Sequence, residues 1–168
     1  MDMHIHNFIK NGQNIPIISE RKQRLMDEQT RKLLEECTIG CQMASDSLRQ
    51  IREYIRDSGL AELVDSYTDR HEKMRQEADA RLTESGCSPK EPGTASSAFA
   101  WFTTEMKLTF NDDNTQIAKL LIDGCSMGIK TLGARRNTLD RADKKASELA
   151  EKIIRTEEDF MKDLQKYL

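Results

Sequence analysis

A chain of 168 residues is long enough for one domain with a sizeable buried core. Charged residues make up 33%, hydrophobic ones 37% and aromatics only 5%. That balance suits helices with solvated outer faces and argues against a sandwich or barrel, whose strands favour aromatic and β-branched side chains. The net charge of -3 gives no electrostatic footprint for nucleic acid.

Residues 1–22, with Asn11-Gly12 and Pro16, show no helical period and read as an N-terminal arm. His4 and His6 belong to that solvated tail, while Ile15, Ile17 and Ile18 are able to pin the arm to the rest of the chain. No positive stretch followed by an apolar one opens the sequence, so no secretory signal is expected. The longest apolar window, 117–129, is interrupted by Lys119 and Asp123 and is too short to span a bilayer. Cys37, Cys41, Cys87 and Cys125 lie in or beside helical patterns, not in a loop framework. They are expected to be reduced thiols in a cytoplasmic protein.

From about Arg24 the pattern becomes helical. Leu34, Cys37, Cys41, Ala44, Leu48, Ile51 and Ile55 step by three and four and line one stripe of a long helix. Asp57-Ser58-Gly59 reads as its stop, with Gly59 as the left-handed cap. A second helix carries Leu60, Val64, Tyr67, His71, Met74, Ala78 and Leu82 and ends at Ser85-Gly86. So short a link makes the two helices antiparallel neighbours. Residues 87–97, with Pro89, Pro92 and Gly93, form a linker, and 98–110 read as a short helix that plugs one end of the fold with Trp101 and Phe102. Asp113 and Gln116 make a capping pair for a third helix that runs to about Arg135. After a turn near 137–140, a fourth helix has Ala142, Ala146, Leu149, Ile153, Phe160, Leu164 and Leu168 on its stripe. Lys162 and Lys166 suit its C-terminal dipole.

An internal repeat ties these elements together. Gly40, Cys41, Met43 and Leu48 recur as Gly124, Cys125, Met127 and Leu132, an offset of 84 residues. A weaker match at an offset of 86 relates helix two to helix four, as in Leu63 and Leu149 or Met74 and Phe160. The expected fold is therefore all-α, with hairpin one at 24–86, a crossover at 87–110 and hairpin two at 113–168, packed about a pseudo-two-fold axis. Gly40, Ala44, Gly124 and Gly128 are expected to let helices one and three approach closely near that axis.

A duplicated helical hairpin with a long crossover resembles the ferritin-like four-helix bundles. Met127-Gly128-Ile129-Lys130 near the repeat, Trp101 before Glu105-Met106-Lys107, and the closing Glu157-Glu158 resemble an uncharacterised helical-bundle family of Gram-positive anaerobes. A ferritin-like di-iron site needs a glutamate from each of two helices and Glu-x-x-His from each of the other two. Here the only bundle histidine is His71, preceded three residues earlier by Thr68, and helix four has none. Carboxylates from Glu36, Glu72, Glu157 and Glu158 would have to replace them, and most are expected to face water.

His71 has two readings, a ligand or proton-handling group paired with Glu157 across the bundle, or an amphipathic ring satisfied by water, Tyr67 or a carboxylate. Cys37, Cys41 and Cys125 with His71 are one route to zinc, but Leu121 takes the place of Cys37 in the second repeat, so these thiols read as small hydrophobes. Met26, Met43, Met74, Met106, Met127 and Met161 read as core filler. No phosphate loop or nucleophile elbow is present. The expectation is a non-catalytic bundle with a structural or interaction role, forming a homodimer through the arm or helix one, with no catalytic residue and no cofactor. The alternatives are a metal-binding bundle with oxidase or storage activity, using His71, Glu157, Glu36, Cys41 and Cys125, and a shell component resembling spore-coat bundle proteins.

Overall fold

The computed structural model describes residues 26–91 and 113–168. The arm at 1–22, the short aromatic helix expected at 98–110 and most of the linker lie outside the described residues. Those that are described form four helices, α1 (Glu28–Arg52), α2 (Ser58–Glu84), α3 (Asn114–Thr138) and α4 (Lys144–Leu164), then a 3₁₀ turn at Gln165–Tyr167. None of these helices is long and apolar enough to cross a membrane.

Each α-helix starts at an aspartate that supplies the acceptor its first free N–H groups require. Asp27 accepts from Gln29 and Thr30, Asp57 from Leu60, Asp113 from Thr115, and Asp143 from Ala146. Asp57 corrects one expectation. Asp57-Ser58-Gly59 does not stop α1; it starts α2, and Gly59 lies inside the new helix. Its small size serves the C-terminal turn, because a Cβ at Gly59 would stand 3.1 Å from the Tyr167 hydroxyl. The left-handed cap belongs to Gly86, at φ +77°. There Cys87 N–H donates to the Leu82 carbonyl and Gly86 N–H to that of Thr83, the paired bonds of a Schellman end.

The helix directions follow from which residues meet. Ile51 at the end of α1 and Ile55 just beyond it share a cluster with Leu60 of α2, Ile117 of α3 and Leu164 of α4. Leu33 and Leu34 at its start share another with Leu82, Leu132 and Ala146. So α1 and α4 run one way, α2 and α3 the other. α2 ends at one end of the bundle and α3 begins at the opposite one. Ion pairs join neighbours along the outside, Arg49 with Glu72, Arg52 with Asp65 and Lys152 with Glu77, each worth little alone.

Every residue expected on the α2 stripe is buried. On α4 the stripe holds from Ala146 to Leu164, but Leu168 lies beyond the helix and is 59% exposed. The two apolar clusters do not merge into one. Between them, at mid-height, stand His71 and Glu157, with Tyr67 and Phe160 on one side and Met74 and Ile153 on the other.

Candidate functional site

His71 is placed by the period of α2, one turn after Tyr67 and just before Met74, so its ring points where an apolar side chain would otherwise sit. Only 1% of it is exposed. Both ring nitrogens are bonded, Nδ1 to the Tyr67 carbonyl oxygen at 2.7 Å and Nε2 to Glu157 Oε1 at 2.9 Å. A carbonyl only accepts, so Nδ1 carries a hydrogen and donates. Nε2 and Oε1 then share one proton between them. Burial pulls the imidazole toward its neutral form, but the Glu157 bond and charge, with the Tyr67 carbonyl and Glu72, more than offset it and raise its pKa above the ordinary value.

Cys125 of α3 lines the same groove as this carboxylate and feels its charge. Burial pushes the Cys125 thiol far up, and the charge of Glu157 adds to that. Burial also pushes Cys37 up to about 12 and Cys41 well above the ordinary thiol range. All three are buried and free, and Cys87 is only half-buried. A thiol held neutral in this way is a poor nucleophile at neutral pH. Tyr67 is satisfied as well, its hydroxyl donating to Asp163 at 2.8 Å while its ring stacks on Phe160 with centroids 4.2 Å apart.

The pair forms the floor of a groove of about 690 Å³ between α1 and α3. Ile39, Met43 and Leu48 line one wall, and Leu121, Met127 and Leu132 the other, with Ile153, Ile154 and Phe160 of α4 beneath. This corrects the expected close packing of helices one and three. A Cβ built on Gly40 or Gly124 would meet nothing within 4 Å, and one on Gly128 would only touch Glu157, with Oε1 at 3.5 Å. The small residues leave space where side chains would have filled it. Met43 and Met127 are groove walls and not core filler, whereas Met74 is buried and Met26 and Met161 pack at the edges of the core.

Of the five residues in the metal alternative, the structure brings together His71, Glu157 and Cys125. Cys41 is buried in the neighbouring cluster. Glu36 stands at the groove mouth, paired with Arg135 at 3.1 Å. Glu72 is taken by Arg49 and Arg75, and Glu158 is exposed. Among the described residues no group of three or more His, Cys, Asp or Glu side chains is placed to hold a metal ion. A ferritin-like di-iron centre needs several interior carboxylates, and only Glu157 of those four turns inward, so these residues do not fit that group. The direct His71–Glu157 contact was foreseeable in part, since the offset of 86 made them counterparts. The groove was not, because small residues on a helix face suit a close helix contact equally well.

No protein-family model matches the chain, and no match is found among characterised proteins.

Proposed function

We propose that the chain is a non-catalytic, ferritin-like helical bundle that works by association, with the α1–α3 groove as its binding surface. The four-helix course supports the ferritin-like part, since α2 ends and α3 begins at opposite ends, as a long crossover requires. Two repeated hairpins are supported by the meeting of counterparts His71 and Glu157 on antiparallel helices. One observation carries the non-catalytic part. Among the described residues the buried imidazole is satisfied by two bonds and the buried thiols are held neutral by burial.

Elemental analysis of protein purified without an affinity tag tests this reading. The expected result is no stoichiometric metal. Stoichiometric iron or zinc, lost in His71→Ala, would overturn it in favour of a metal-binding bundle.

A further inference from the structure

We propose that the α1–α3 groove binds an elongated, uncharged apolar molecule bearing one hydrogen-bond donor, with the donor seated on Glu157; a long-chain alcohol is the simplest member of the class. This rests on the non-catalytic reading above and names the ligand of that surface.

Three observations converge on it. The first is volume. About 690 Å³ falls inside the range of small-molecule sites, roughly 300–1,000 Å³. It owes its width to missing side chains, because Gly40 and Gly124 both line it and a Cβ on either would meet nothing within 4 Å. The walls beside them, Met43 and Met127, are long, unbranched and adaptable to an irregular apolar guest.

The second is the single polar spot in the floor. Of the buried pair, the His71 side chain is 1% exposed and that of Glu157 10%, so the carboxylate is the part a guest can touch. Gly128 makes the opening, since nothing larger than a hydrogen stands over Glu157 Oε1 there. A carboxylate offers about four acceptor positions, and His71 takes one of them. A donor on the guest is the group that suits the rest.

The third is charge. Glu157 is balanced by the imidazole with which it shares a proton, and Glu36 at the mouth by Arg135. The Cys125 thiol in the floor is neutral. From α2, only His71 lines the groove, and α4 adds no charge beyond Glu157. A carboxylate or ammonium head on the ligand would be buried with no counter-charge left to meet it. An uncharged donor faces no such cost.

The test is displacement of a neutral apolar dye, Nile red, from the full-length protein by four probes of equal chain length: dodecanol, its methyl ether, dodecanoate and dodecylamine. Dodecanol is expected to displace the dye about tenfold better than the ether, as one hydrogen bond to a charged group implies, and to outcompete both charged probes. Gly124→Leu and, from the opposite wall, Gly40→Leu should each abolish dye binding while helical circular dichroism is kept. Dye binding unchanged in the folded variants overturns the site. Equal displacement by alcohol and ether, or a win for either charged probe, overturns the ligand class. If the leucine variants instead split a dimer and no probe displaces dye, the groove seats a second copy and the proposal fails. Stoichiometric metal in the same preparation would refute the non-catalytic reading whatever the dye does; a dye failure in metal-free protein refutes only the ligand.

Discussion

Replacing Glu157 with glutamine should reverse the pH dependence that His71 contributes to stability. In the native pair the imidazole carries a pKa above its ordinary value. A group raised on folding contributes stability that is fully present below the unfolded pKa, about 6.5, and lost as pH rises through the folded value. Glutamine keeps the shape and, through its amide N–H, donates to Nε2 of a neutral ring. It removes the anion that favours a second proton there. Burial, the largest influence on this ring, then prevails and the folded pKa falls below the ordinary one. In that variant stability is lost as pH falls below about 6.5.

Between the two folded pKa values the native pair holds one proton more than the variant. The difference in unfolding free energy, native minus variant, should therefore fall by up to about 1.4 kcal/mol per pH unit. Urea unfolding followed by helical circular dichroism, in steps from above the carboxylate range to mild alkalinity, measures it. Taking the difference cancels the other titrating groups, including Glu72 and Asp143, which are lowered and are common to both proteins. A flat difference curve, or one that rises with pH, would refute the shared proton.

Three further outcomes are expected. Gly40→Ala and Gly124→Ala should each stabilise the fold by roughly 0.5–1 kcal/mol, because a helix-interior glycine is replaced where nothing opposes a Cβ; destabilisation in thermal unfolding would restore the close helix crossing. Cys87 should react first with a thiol reagent and Cys37, Cys41 and Cys125 only on unfolding, which mass mapping of the labelled sites checks. Light scattering should find a homodimer formed away from the groove, as Tyr54, in the turn just after α1, is an exposed large apolar side chain; a 19.3 kDa species would show that this surface is not used for self-association.

The α2 and α4 stripes were legible in sequence because a period of three and four with few interruptions has one geometric meaning. Gly86 was legible too, since serine-glycine at the end of a stripe asks for a positive φ. Asp57-Ser58-Gly59 misled for a physical reason. Aspartate favours a helix start and glycine a helix end, and three residues between two stripes satisfy both. The bond from Leu60 N–H to Asp57 decides it. The groove was illegible because a glycine at a helix face reads the same whether it meets a neighbour or open space. Only the separation of α1 from α3 tells them apart, and nothing local sets that separation. His71 and Glu157 fall between: the repeat made them counterparts, but contact also needs α2 and α4 to cross at that height.

That crossing height raises the last question, why a polar pair interrupts an otherwise continuous core. Apolar clusters on either side of it tolerate sliding, since leucine meets leucine or isoleucine with little loss at neighbouring registers. The pair does not. A slide of one turn along α2 would set Met74 or Tyr67 opposite Glu157, stranding a buried carboxylate and a buried imidazole, and breaking such a pair costs about 3–5 kcal/mol. Replacing both residues with leucine removes that penalty at every register, so stability should stay close to the native value or rise. What should be lost is a single arrangement of α2 against α4. In a methyl-resolved spectrum of the double variant, Met74 and Ile153 would then give several resonances each where the native protein gives one. A single sharp set in the double variant, at native stability, would show that the two apolar clusters fix the register by themselves.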